Sequence, residues 1–165
     1  MTIGRFLAGI GALIWDADSQ RYLVLRRASS KDFAAGAWEC VTGRLEQGEG
    51  FEAALHREVA EEIGVAVEPL FLIGTTHFYR GEHRPENELV GVVYCCSVAD
   101  PTAIRLSHEH AKARWITAAE GEGMLRQEHP TEAWLWRVIE RAEQTRRQLA
   151  PKLTQLHRRR GFELG

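Results

Sequence analysis

Cysteine, methionine and proline are all scarce, at three, two and five residues in a chain of 165. Cys40, Cys95 and Cys96 are too few for a disulfide framework and their spacing matches no zinc module, which predicts a reducing compartment and a role as small buried apolar side chains. Long hydrophobic runs are missing too. The run over residues 6–15 follows Arg5 and superficially mimics a secretory leader, but Gly9 and Gly11 interrupt it and Asp16 and Asp18 follow at once as a turn. It is far short of the ~20 residues that span a bilayer, and a buried first strand accounts for it. The expectation is therefore a cytoplasmic protein with no membrane partner. There is no large excess of charge of one sign either: the formal net charge is −2. Residues 146–165 hold six Lys or Arg against one Glu, so the preceding body carries −7. An acidic body with a basic tail argues against a general nucleic-acid binder. No internal repeat, coiled coil or low-complexity segment is present.

With 44% apolar residues, a chain of this length folds around one core without staples. Residues 6–15 and 22–26, joined by the turn at 16–20, predict a hairpin. Residues 28–36 read as a loop and 38–42 as a short extended piece. Three glycines over residues 43–50 argue against a regular element there. Residues 51–63 form a helix with Leu55, Val59 and Ile63 on one face and Gly64 as its left-handed stop. Residues 65–79, 89–98 and 113–116 are strand-like, and Thr117 with Glu120 marks a capping box. Pro130 opens a final helix whose stripe is Leu135, Val138, Ile139 and Ala142. The order predicts an α+β sandwich, with helices on the faces of a sheet, over residues 1–150. Residues 151–165 show little periodicity and read as a basic tail with a solvated run at Arg158, Arg159 and Arg160.

Chemistry concentrates on the central helix. Glu58, Glu61 and Glu62 stand at i, i+3 and i+4, so three like charges share one face, with Arg57 as the nearby cation. Such a cluster is either a solvated acidic face or a site for an external counter-charge. Oxygen ligands alone indicate Mg²⁺ or Mn²⁺ rather than zinc.

The wider spacing decides between these. Gly43, Glu49, Arg57, Glu58, Val59, Glu61, Glu62, Gly64 and Val65 stand at every fixed position of the 23-residue Nudix hydrolase signature, which this sequence therefore resembles. The resemblance implies an α/β/α sandwich with a mixed β-sheet between helices. It also implies a Mg²⁺-dependent hydrolase that cuts a pyrophosphate linkage in a nucleoside diphosphate derivative. Carried over by position, Glu58, Glu61 and Glu62 hold the metals, a backbone carbonyl at Thr42 or Gly43 completes the shell, and Glu49 with Arg57 forms an ion pair fixing the loop to the helix. The segment from Trp38 to Gly43, and Glu109-His110 followed after four intervening residues by Trp115, are similar to patterns in Nudix enzymes acting on dihydroneopterin triphosphate and deoxynucleoside triphosphates. The second pattern also occurs in members that hydrolyse dinucleoside polyphosphates. A triphosphate cleaved to monophosphate and pyrophosphate is the leading expectation. ADP-ribose or dinucleoside polyphosphate hydrolysis, and a nucleotide sensor that does not cut, are the alternatives.

Glu109 is the candidate fourth carboxylate, with Glu61 as the alternative water-activating base. Arg26 and Arg27, with Lys31 behind them, are candidates for the substrate phosphates. Trp38 and Phe33 are candidates for stacking on a base, and core packing is the alternative for both. His108 and His110 lack the cysteine or third histidine of a zinc site and are assigned to loop hydrogen bonds or substrate contact. Trp136, off the apolar stripe of its helix, marks either a homodimer contact or a partly buried helix edge.

Overall fold

The computed structural model describes residues 4–31 and 33–164; residues 1–3, 32 and 165, which fall in the predicted domain and tail, lie outside the described residues. Seven strands and four helices follow one another as β1 (Leu7–Asp16), β2 (Arg21–Arg27), β3 (Trp38–Glu39), β4 (Val41–Arg44), α1 (Phe51–Ile63), β5 (Glu68–Tyr79), β6 (Glu88–Ser97), β7 (His110–Ile116), α2 (Ala118–Met124), α3 (Pro130–Gln148) and α4 (Pro151–Arg160).

β1 is the axis of the sheet. Along one edge it runs parallel to β6 from Leu7↔Leu89 to Ile14↔Cys96. Along the other it pairs antiparallel first with β4, from Gly9↔Arg44 to Ala12↔Val41, and then with β2 at Trp15↔Tyr22. One parallel pairing among antiparallel ones makes the sheet mixed, as predicted, and helices pack on both faces.

The two-residue period of β1 divides the core. Leu13 and Trp15 join the stripe Leu135, Val138, Ile139 and Ala142 of α3 on one face. Ile10, Ala12 and Ile14 join Leu55, Val59 and Ile63 of α1 on the other. Leu55 and Ile63 are fully buried, each contributing about 1.5–3 kcal/mol of transfer free energy. The apolar face of α1 is therefore held in the core while its acidic face stays at the surface. Gly64 ends α1 with φ +70°, and its N–H returns to the Ala60 carbonyl. Cys40, Cys95 and Cys96 are buried free thiols, in keeping with their apolar assignment. Among the described residues no helix is long and apolar enough to cross a membrane.

Several boundaries differ from the sequence reading. The piece at 38–42 is two strands, and β4 continues through Gly43 to Arg44, because pairing with β1 outweighs the glycine's weak strand preference. β7 begins at His110, since its antiparallel pairing with β2 extends to Arg27↔His110. The tail is not irregular: residues 151–160 form α4, with Pro151 at its first turn. That helix is fixed by contacts distant in sequence. Arg158 pairs with Glu68 at 2.8 Å, and Phe162 stacks on His157 and meets Tyr94 edge-on. Phe51 N–H donates to Glu163 at 2.8 Å and Phe162 N–H to Glu52 at 3.0 Å, so the tail caps α1, whose N-cap Gly50 has no side chain to do so. Trp136 is partly buried: it packs against the α3-side core and approaches Gly121 of α2.

Sequence reasoning did not find Glu132. Its carboxylate is buried and accepts from the backbone N–H groups of Trp38, at 3.2 Å, and Arg126, at 2.8 Å, and from the Arg126 guanidinium. It thereby joins the start of β3 to the start of α3. Glu132→Ala leaves the Trp38 and Arg126 N–H groups without this partner and is expected to cost about 2–3 kcal/mol in a urea unfolding titration; a loss under about 0.5 kcal/mol would mean water replaces the carboxylate.

Candidate active site

The acidic face of α1 lies against β4, where Gly43 makes the approach possible. A Cβ added at Gly43 would sit 1.9 Å from Glu58 Cδ and 2.1 Å from its Cγ. No other residue type fits without displacing either the strand or the carboxylate.

Arg57 organises the cluster. Its Nε and Nη2 donate to the two oxygens of Glu49 at 2.9 and 2.8 Å, the bidentate geometry of a strong pair. Nη1 donates to Glu58 at 2.8 Å and Glu61 at 3.3 Å, and Nη2 also donates to the Arg44 carbonyl at 2.9 Å. The hydrogen bonds from Arg57 hold the Glu49 carboxyl down at about 2. Burial pushes the Glu58 carboxyl up against the pull of Arg57. Glu61, 59% exposed, is the solvated member.

Glu62 is different. It is buried, one carboxylate oxygen has no hydrogen-bond partner, and burial, reinforced by the charges of Glu39, Glu58 and Glu109, pushes its carboxyl up to about 9. Beneath it lies a hub that the sequence did not disclose. Glu39 accepts from Arg27 Nη1 at 2.7 and 2.9 Å and meets His110 Nε2 at 3.0 Å, while His110 Nε2 stands 3.8 Å from Glu62. The signal available in the sequence was a charged residue on a short strand between apolar neighbours.

Glu109 sits in the turn before β7 and pairs with Lys31 at 2.5 Å. The hydrogen-bonded Lys31 ammonium holds the Glu109 carboxyl below its ordinary value. Glu58, Glu61, Glu62, Glu109 and Lys31 line one open cleft of about 770 Å³, whose far side is formed by Thr76, Phe78, Arg80, Trp134 and Arg137. Phe33 also lines it. The other candidates fall elsewhere. Arg26 lies outside the cleft lining and donates to the Gly36 carbonyl. Arg27 reaches the cleft, but its side chain is 12% exposed and its guanidinium donates to Glu39 and to the Phe33 carbonyl. Trp38 packs against the α3-side core, away from the cleft lining.

The donor set suits a small hard cation: it is all oxygen, and one buried oxygen lacks a partner. Among the described residues no three acidic, histidine or cysteine side chains already converge as an ion cage. Arg57 and Lys31 hold the carboxylates instead, so a divalent cation has to compete with both. A carboxyl whose folded value is raised binds its proton more tightly in the native state. The contribution of Glu62 to the stability of the metal-free protein is therefore fully present below the ordinary carboxyl range and is lost as pH rises towards about 9. Melting curves in EDTA at pH 6 and 9 should show this decline, and Mg²⁺ should reverse it at pH 9 by favouring the ionised form. A flat profile in EDTA would refute the assignment of Glu62 as a carboxyl poised for a cation.

Comparison with known proteins agrees with the geometry. The sequence profile described as the NUDIX domain matches residues 5–142. The dihydroneopterin triphosphate diphosphatase of Escherichia coli K12 is 32% identical over 117 aligned residues, covering 64% of this chain and 75% of that protein. An octanoyltransferase from Myxococcus xanthus is 34% identical over 97 residues, but this chain spans only 26% of it. The crystal structure of a MutT protein from Methanosarcina mazei Go1 superposes with a TM-score of 0.67 at 23% identity, over 90% of this chain and 98% of that one, a likeness of fold alone. With Gly43, Arg57, Glu58, Glu61 and Glu62 of the signature lining one cleft and the profile covering most of the sequence, the chain belongs to the NUDIX domain family.

Proposed function

We propose that this protein is a Mg²⁺- or Mn²⁺-dependent pyrophosphohydrolase that converts a nucleoside triphosphate, or dihydroneopterin triphosphate, to the monophosphate and pyrophosphate. The observation that carries the reading is the buried, partnerless oxygen of Glu62 in a cleft shared with Glu58, Glu61 and Glu109. A structural acidic face gains nothing from an uncompensated buried carboxylate, whereas a cation site requires one. The likeness to a dihydroneopterin triphosphate diphosphatase supports the triphosphate.

Glu58, Glu61 and Glu62 would hold the cation, which supplies charge neutralisation on the phosphates and lowers the pKa of water. Arg57 fixes the direction of Glu58 and Glu61, and Glu49 fixes Arg57. Water adds to one of the two phosphorus atoms flanking the α,β-bridging oxygen and the bond from that phosphorus to the bridging oxygen breaks: attack at the α-phosphorus expels pyrophosphate, attack at the β-phosphorus expels the monophosphate, and the two products are the same. Glu109, on the segment facing the helix, would give one carboxylate oxygen to the cation and accept the proton of the water on the other; before the cation binds, Lys31 holds it ionised.

The test is phosphate release with and without added pyrophosphatase, on a panel of nucleoside triphosphates, dihydroneopterin triphosphate, ADP-ribose and diadenosine polyphosphates. Phosphate that appears only after pyrophosphatase supports the proposal. Nucleoside monophosphates from ADP-ribose or the dinucleotides alone would replace it with the diphosphate-bridged reading. Binding without turnover of any member would make the protein a sensor. Glu109→Gln should lower kcat by about 10²- to 10⁴-fold with a smaller change in KM. A variant within about threefold of the parent would move the base to Glu61.

A further inference from the structure

The pairing of Lys31 with Glu109 has a functional meaning that builds on the proposed cation-dependent reading. Both groups line the cleft, and their side chains keep 24% and 39% of their surface exposed. The segments that carry them are fastened together at the backbone. Ala28 N–H donates to the Glu109 carbonyl at 2.8 Å, and Lys31 N–H to the Ala28 carbonyl at 3.2 Å. Arg27, the residue before, is held through its Nη1, which donates to both oxygens of Glu39. The main chain of the two segments is thus tied together, and side-chain rotation suffices to part the ammonium from the carboxylate. Lys suits such a part: its donor is a point charge on a flexible stem, whereas a guanidinium fork, as at Arg57, holds a carboxylate at two atoms. A half-exposed, single-contact ion pair is weak enough to exchange.

We propose that Lys31 is a substrate-phosphate ligand held in reserve by Glu109: a divalent cation that takes Glu109 releases the Lys31 ammonium, which then binds the phosphate group brought in with that cation. The exchange couples the two ligands through one carboxylate. It keeps the cleft near charge balance at each stage, since Glu109 has a cationic partner before and after loading and Lys31 has an anionic one.

The experiment reads binding without turnover, so it is independent of which substrate is cleaved. Mn²⁺ affinity of the full-length protein is measured by the electron paramagnetic resonance of free Mn²⁺, and inorganic pyrophosphate affinity in saturating Mn²⁺ by calorimetry. Lys31→Gln should bind Mn²⁺ about three- to fivefold more tightly, because the cation no longer competes with the ammonium, while pyrophosphate binding weakens about tenfold. A lysine that only supports the fold would weaken both. In a Glu109→Gln background, Lys31→Gln should leave Mn²⁺ affinity within about twofold. Tightening that persists there would reduce the effect to the general field of a lost positive charge and overturn the exchange. Unchanged Mn²⁺ affinity in the single variant would overturn it as well, and unchanged pyrophosphate affinity would remove Lys31 from the phosphate site. Failure of the proposed function looks different: the parent protein would hydrolyse no member of the substrate panel, whatever the Mn²⁺ titrations show.

Discussion

Glu62→Gln is expected to reduce turnover by at least about 10²-fold while raising the melting temperature of the metal-free protein at pH 8. The two effects have opposite signs for one reason. The Glu62 carboxyl is buried beside Glu39, Glu58 and Glu109, and its ionisation is opposed by burial first and by those charges second. Up to about pH 9 the native state keeps the proton that the unfolded chain releases, which favours unfolding; an amide of the same shape abolishes that difference at little cost in packing. It also removes an anionic ligand that a bound cation would need, so Mg²⁺ should stabilise the variant much less than the parent. The decline in stability towards pH 9 in EDTA should flatten in the same variant, since the proton responsible is gone. Thermal melts with EDTA and with Mg²⁺, alongside steady-state rates, check all three. A metal-free variant that melts well below the parent would make Glu62 a structural residue.

Gly43→Ala should be the most damaging conservative change near the cleft. Its added methyl would lie 1.9 Å from Glu58 Cδ, deep inside van der Waals contact, with the strand on one side and the helix on the other. Overpacking of this kind costs typically about 1–3 kcal/mol. Here the flexible partner is itself a proposed ligand, so relief of the clash displaces the Glu58 carboxylate, and kcat should fall by about 10²-fold or more even where the fold survives, since small misplacements of positioning groups cost that much. Gly48→Ala supplies the control. Gly48 has φ +84° and nothing within 4 Å of the added Cβ, so that change carries backbone strain of about 1–2 kcal/mol without touching a carboxylate. Loss of stability in both variants, with loss of turnover only at Gly43, separates the close approach from general destabilisation. Equal turnover in the two would show that Glu58 is not needed where it stands.

The role of Lys31 and the role of Glu109 are linked through one ion pair, so neither single variant should be read alone. Removing the carboxylate frees the ammonium, and removing the ammonium frees the carboxylate. Non-additivity between the two changes is the expected signature of groups that share a partner.

What the sequence by itself determined was whatever depends on local periodicity and on fixed spacing. The helix over residues 51–63, its apolar face, its left-handed stop at Gly64 and the one-sided run of Glu58, Glu61 and Glu62 follow from a 3.6-residue repeat within one element, where neighbours in sequence are neighbours in space. The capping box at Thr117 and Glu120 is local for the same reason. Tertiary structure alone decided the contacts between residues distant in sequence. Arg26 and Arg27 looked equivalent at the end of a strand, yet successive side chains point to opposite faces. One reached Glu39, 12 residues on, and the other turned to the Gly36 carbonyl. The same holds for Glu39 meeting His110 across 71 positions, for Glu132 bonding Trp38 across 94, and for Glu163 capping α1 from 112 residues away. Buried polar groups must find partners, and which partner is in reach is fixed by how the strands and helices close around them, a distance the order of residues does not encode locally.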